Sequence, residues 1–313
     1  MSSARLPVTA PKKRLRTILY EQRLLFLLVL PCLIWLVIFC YIPMGGIVIA
    51  FKNYRPAKGI WGSEWVGMKW FVQMFKSAQA KNVIRNTIGL SFFKLIIGTP
   101  MPILFALLLN EIGSKRYMKV VQTVSYLPHF LSWIIVVGLF QQVLSVDGGI
   151  FNVVREACGL PAKNFFGDPG SIWPLSLITE VWKEVGWAAI IYIAALAGID
   201  PQQYEAAIID GASKLQRMLH ISLPNIAPTI IILLIMNSGN VLNSNFDQLY
   251  AMRNDAVLRT VEVIDTYVYQ RTLTDPMSFG YSTAITLFKS VINVAMLLIV
   301  NFISGKVSDE SFF

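Results

Sequence analysis

The sequence predicts an all-α membrane protein with six transmembrane helices, and two observations carry the prediction. Of its 313 residues, 55% are hydrophobic and only 14% charged, with a mean hydropathy of +0.58, far from the balance of ordinary soluble domains. The apolar residues also gather into runs long enough for a bilayer core, which takes about 20 helical residues. Lipid leaves backbone groups satisfied only in helices or closed barrels, and these long runs lack the alternation of barrel strands.

Residues 24–51, 120–146 and 221–246 contain no Lys, Arg, Asp or Glu and are the plainest spans. Residues 83–109 carry Arg85 and Lys94, residues 172–199 carry Glu180, Lys183 and Glu184, and residues 280–304 carry Lys289. The first run follows the basic residues Lys12, Lys13, Arg14 and Arg16, as a signal peptide would. It is too long for a 7–15-residue signal core, so an uncleaved first span is expected. Cys32, Cys40 and Cys158 form no CxxC pair and are read as packing residues, with no disulfide framework or metal site.

Six spans put both termini on one side. Lys and Arg divide almost evenly between the two sets of loops, so orientation rests on the first helix and the short loops. The basic tail and the compact group Lys115, Arg116 and Lys119 favour cytoplasmic termini, which also places residues 200–220 in the cytoplasm. The net charge of +9 is assigned to topology and lipid headgroups, since no nucleic-acid-reading motif is present.

Within this apolar chain, EAAIIDGASKLQRMLHISLP (205–224) is unusually polar. Asp200 and Pro201 suit the cap and first position of a helix over 204–209. Gly211 permits a sharp turn, a second short helix follows over 213–220, and Pro224 is expected where the next span begins. Read physically, the segment is two short helices and a glycine elbow. It could be a mere interfacial connector.

The spacing says more. Glu205-Ala206-Ala207, three residues, Gly211, nine residues and Ile221-x-Leu223-Pro224 resemble the EAA signature of permease subunits of ABC importers. The resemblance implies a type I ABC importer permease fold with cytoplasmic coupling helices, docked into a groove on an ATPase subunit. It assigns Glu205 a polar contact to the ATPase, Ala206 and Ala207 close approach, and Gly211 the interhelix angle. Asp210, Leu223 and Pro224 complete the coupling set.

The stretches 41–67, 107–133, 182–207 and 263–293 further resemble carbohydrate permeases of the maltose-transporter type, nearest the polysaccharide/aldouronate (LplB-type) group. That resemblance implies a subunit of an ATP-driven oligosaccharide importer in a bacterial cell membrane. It would assemble with a second homologous permease, two ABC ATPase subunits and an extracytoplasmic sugar-binding protein. On this division residues 1–23 are a basic cytoplasmic tail and 24–82 the first helix and external loop. Residues 83–305 form the permease core with its EAA loop at 200–224, and 306–313 a cytoplasmic tail. Asn237, Asn240 and Asn245 make the fifth span more polar than the glycine-rich pattern of the group.

No GxxxxGK[ST] loop occurs, so ATP and Mg are expected on the partner ATPase and no cofactor or enzymatic activity on this chain. Glu180, Lys183 and Glu184 are read as an anchored helix start near an interface. Ionisable groups at helix centres cost roughly 2.5–3.5 kcal/mol on insertion scales, so Lys94 and Lys289 should face away from lipid. Neither has an obvious mid-membrane carboxylate partner in the sequence. Asn237, Asn240, Ser244 and Asp247 recur at helical spacing, as do Thr286, Lys289 and Asn293. Lys94, Asn237, Asn240, Ser244, Lys289 and Asn293 are therefore the candidate substrate-pathway residues, against a plainer reading as interhelical hydrogen bonds. His129, after Pro128, is expected to satisfy a kink. Trp61, Trp65 and Trp70 suit an interface or a docking surface, and Arg253, Asp255, Arg259 and Asp265 could meet a binding protein. The alternatives are an ABC permease for a non-sugar solute and an ion-driven secondary transporter, which would require broken helices or paired mid-membrane charges. A channel or scaffold is the third.

Overall fold

The computed structural model describes residues 22–307. The basic cluster Lys12–Arg16 and the last six residues lie outside the described residues, together with the expectations placed on them. Four continuous helices are long and apolar enough to cross a membrane: α1 (Arg23–Phe51), α3 (Ala78–Asn110), α9 (Lys214–Ser238) and α12 (Phe279–Lys306). A two-stranded hairpin of β1 (Lys52–Asn53) and β2 (Glu64–Trp65), then α2 (Lys69–Lys76), separates the first two.

Two bent pairs bring the count of spans to as many as six. The run at 120–146 is not the single straight span expected: α4 (Lys115–Phe130) and α5 (Trp133–Val143) meet at 105°. Pro128 sits in the tightened last turn of α4, Leu131 and Ser132 are extended, and the Ser132 hydroxyl accepts from the Ile135 amide to cap α5. A short α6 (Ile150–Ala157) leads to α7 (Ile172–Ala197), which turns through 75° into α8 (Pro201–Ile209).

Three prolines shape the long helices in the same way. Each of Pro43, Pro100 and Pro224 lies two residues beyond a widened π turn, at Val37–Tyr41, Lys94–Gly98 and Met218–Ser222 respectively. Proline lacks an amide and crowds the carbonyl four residues earlier. Widening the preceding turn lets each helix continue. Hence Pro224 does not begin the fifth span: α9 already starts at Lys214, so the second arm of the elbow and the span are one helix.

The fifth span also stops early, at Ser238. Asn240 and Asn243 then build a turn in which the Asn243 amide group donates to Asn240 Oδ1 at 2.9 Å, and the Leu242 amide donates to Asn293 Oδ1 at 3.2 Å. Asparagine competes with helical bonding through such local contacts. The single polar face expected from Asn237, Asn240, Ser244 and Asp247 is therefore not formed. α10 (Phe246–Met252) and α11 (Ile264–Thr274) follow before α12.

α7 is the hub. Its N-terminal part joins Leu90, Val137, Leu249 and Met252 in one buried cluster, and its C-terminal part joins Ala106, Leu107 and Ile226 in another. At Gly186 a side chain would overlap the Ser125 backbone of α4, so glycine permits that close crossing. α1 has no buried residue within its most apolar window.

Candidate functional site

The elbow at residues 200–224 is built by capping. Asp200 Oδ1 accepts the Gln202 amide at 3.0 Å with Pro201 at the first position of α8. α8 ends in a Schellman motif: the Ala212 amide donates to Ala207 O at 2.9 Å and the Gly211 amide to Ile208 O at 3.0 Å. The motif needs a left-handed residue, and Gly211 has φ +78°. Ser213 and Gln216 form a capping box that starts α9.

Three contacts hold the elbow, two between α8 and α9 and one to Glu111 just beyond α3. Tyr204 Oη and Ser222 Oγ are 2.9 Å apart, and Asn225 Nδ2 donates to Gln203 Oε1 at 3.1 Å. Arg217 reaches Glu111 Oε2 at 3.4 Å and donates to Ala212 O at 3.0 Å. Its outer surface is left bare. Glu205, Ala206 and Asp210 are exposed, Ala207 is half-buried, and Ile208, Ile209 and Leu215 are 56%, 86% and 59% exposed. Exposed isoleucines and leucine around a carboxylate make a surface suited to a protein partner. Leu223 and Pro224 lie behind it in the base of α9.

Between α3, α7 and α9 lies an open cavity of about 430 Å³. Its polar lining includes Lys94, Glu180, Glu184, Asn237 and Asn243. The volume suits a small ligand. Lys94 is paired, contrary to the sequence expectation: it contacts the Glu180 carboxylate and donates to Gln248 Oε1 at 3.2 Å. The fully buried Gln248 in turn donates to Ser176 O and Thr179 Oγ1 at 2.6 and 2.7 Å. Glu180, Lys183 and Glu184 lie in the middle of α7 and are not a helix start.

The break between α4 and α5 is tied to this cluster. Lys183 donates to His129 O at 2.6 Å, satisfying a carbonyl freed where the helix stops, and to Glu184 Oε1 at 2.9 Å. His129 Nδ1 lies 2.6 Å from Glu184 Oε2, and its ring stacks on Trp187 with centroids 4.3 Å apart. His129 does sit at the kink, bound to a carboxylate.

The other pathway candidates divide. Asn240 and Asn293 hold the turn after α9, and Ser244 is buried beside it. Lys289 is also paired, with Asp265 oxygens at 2.6 and 2.9 Å. Only Lys94 and Asn237 of the six line the 430 Å³ cavity. Sequence reasoning missed His129, Lys183, Glu180, Glu184 and Gln248 as one group. The signal was present as three charges within five residues of an apolar helix, where ionisable groups point to function. Trp61 is 90% exposed on the hairpin, whereas Trp70 is anchored by donating to Lys52 O at 2.9 Å. Among the described residues no group of three His, Cys, Asp or Glu could hold a metal ion.

Residues 98–309 match the family described as binding-protein-dependent transport system inner membrane component. The chain is 41% identical to the polygalacturonan/rhamnogalacturonan transport system permease protein YteP of Bacillus subtilis, over 96% of this chain and 94% of that one. It is also 41% identical to Protein LplB of the same organism, over 94% and 92%. In the crystal structure of a bacterial ABC transporter involved in import of the acidic polysaccharide alginate, one chain superposes with a TM-score of 0.86. That chain is 37% identical, over 95% of this chain and all of its own length. The mostly helical architecture, with four to six candidate spans, is that of a type I ABC importer permease. The ion-driven alternative called for broken helices or paired mid-membrane charges, and a broken helix and a paired mid-helix charge are both present; it is the family match that decides against it. The chain belongs to the binding-protein-dependent transport system inner membrane component family.

Proposed function

We propose that this chain is the permease subunit of an ATP-driven importer of acidic oligosaccharides, forming half of the pathway. The exposed elbow carries the reading: a Gly211-set corner, clamped to α9 through Tyr204 and Ser222, presents Glu205, Ala206, Ile208 and Ile209 to a partner. That partner is an ABC ATPase subunit, which supplies ATP and Mg. The elbow side is cytoplasmic, as are both termini, in a bacterial cell membrane.

The second arm of the elbow is the start of α9, and α8 is tied to it through Tyr204 and Ser222, so motion of the elbow is carried into the span. The last turn of α9 carries Asn237 to the wall of the cavity, where Lys94, Glu180, Glu184 and the amides of Asn237 and Asn243 line the space. Amides donate and accept toward sugar hydroxyls, and Lys94, whose ammonium meets Glu180 and Gln248, keeps a third N–H for a uronate carboxylate. Among similar proteins, YteP is named for polygalacturonan and rhamnogalacturonan transport, and the alginate transporter was captured with a pentasaccharide-bound periplasmic protein. Both support an acidic cargo and an extracytoplasmic binding protein, with a second homologous permease completing the pathway.

The test is purification of the assembled complex in mild detergent and its ATP hydrolysis with binding protein loaded with oligogalacturonate or neutral oligosaccharide. Stimulation by the acidic cargo, above that by the neutral one, is expected. Equal stimulation removes the acidic specificity, and absence of any ATPase partner removes the importer reading.

A further inference from the structure

At the end of α3 opposite the elbow, a groove of about 530 Å³ is lined by Arg85, Arg259, Asn82, Phe93, Trp173 and Pro174, among others. Its frame is fixed. Asn82 and Asn86 side chains donate to Arg259 O at 2.6 and 2.7 Å, and Trp173 Nε1 donates to Thr260 O at 3.0 Å. Trp173 lies over Gly89, where any side chain would overlap its ring.

Two cations remain without counter-ions in this frame. Neither the Arg85 nor the Arg259 guanidinium has a hydrogen-bond or ion-pair partner among the described residues. The neighbouring carboxylates are committed elsewhere. Asp168 holds Lys163 and Ser171, which keep its carboxyl down at about 2. Glu262 holds Gln79 and Arg253.

The surface below Arg85 identifies the class of ligand. Ile88, Phe92 and Ile96 follow it at helical spacing on one face of α3 and are 45%, 59% and 56% exposed. An arginine pair at the head of an exposed apolar stripe, near the end of a spanning helix, matches a phosphate head group with an acyl chain beneath it. We infer that this groove binds an anionic phospholipid of the outer leaflet, its phosphate between Arg85 and Arg259 and its chain along Ile88, Phe92 and Ile96.

The experiment uses the assembled transporter, delipidated and titrated with phosphatidylglycerol, phosphatidylcholine or soluble glycerol phosphate, with bound lipid read by native mass spectrometry. Phosphatidylglycerol is expected to bind at least tenfold more tightly than phosphatidylcholine. Arg85→Gln/Arg259→Gln should weaken it about tenfold, and Lys115→Gln/Arg116→Gln at the opposite end should not. Equal binding by the groove variant and the native transporter overturns the inference. So does displacement by glycerol phosphate at concentrations equal to the lipid, which would mean a site for a soluble anion.

Discussion

Lys94 on α3 and Glu180 on α7 form an ion pair on the wall of the open cavity, with side chains 13% and 30% exposed. Exposed pairs are worth about 0–1 kcal/mol, whereas removing one partner of a buried pair costs about 3–5 kcal/mol. This half-shielded pair falls between. Glu180→Gln should lower the melting temperature and cargo uptake, and Lys94→Glu/Glu180→Lys should recover part of the stability. Single variants melting with the native protein would mean that the pair contributes nothing to the packing of α3 on α7.

Gly211→Ala isolates the elbow's backbone. A methyl group there meets nothing within 4 Å, so its only cost is the left-handed conformation, about 1–2 kcal/mol. The variant should insert normally and retain less ATPase on purification, with Gly211→Asn intermediate. Retention equal to the native protein would show that the elbow angle is not set by this residue.

Tyr204→Phe removes the hydroxyl that meets Ser222 Oγ and nothing else, a change of about 1 kcal/mol. With α8 freer to move against α9, reconstituted transporter should hydrolyse more ATP per oligosaccharide imported. The ratio of hydrolysis to uptake in proteoliposomes measures this, and an unaltered ratio would separate the clamp from coupling.

Gly186→Ala puts a methyl group into the Ser125 backbone. Overpacking of this kind costs about 1–3 kcal/mol, so the melting temperature should fall. Gly138→Ala, inside α5 where nothing lies within 4 Å, should hold or slightly raise it. Similar melting of both variants would show that α4 and α7 separate without cost.

The sequence made the local structure of the elbow legible because its instructions are local. The Asp200 cap, the Gly211 turn and the two helical arms all appear where the residues place them. Hydropathy located the apolar runs but not their breaks. The bend at Leu131–Ser132 depends on Lys183 satisfying a carbonyl from another helix, and the early end of α9 depends on Asn293 across the bundle. The partners of Lys94 and Lys289 were likewise illegible, since Glu180 and Asp265 are far away in the chain and meet them only by packing. Pro224 misled because proline reads as a helix start, while a widened turn before it carries the helix through.

Coupling as proposed requires the exposed face of α8 to dock on an ATPase subunit. That docking is tested by Ala206→Cys in a chain whose Cys32, Cys40 and Cys158 are replaced, labelled with a thiol-reactive photocrosslinker, assembled with its partners and irradiated. A crosslink to the ATPase whose yield changes when nucleotide is added is the predicted result. An intact, transport-competent complex that gives no crosslink from Ala206→Cys or Ile209→Cys would contradict the account.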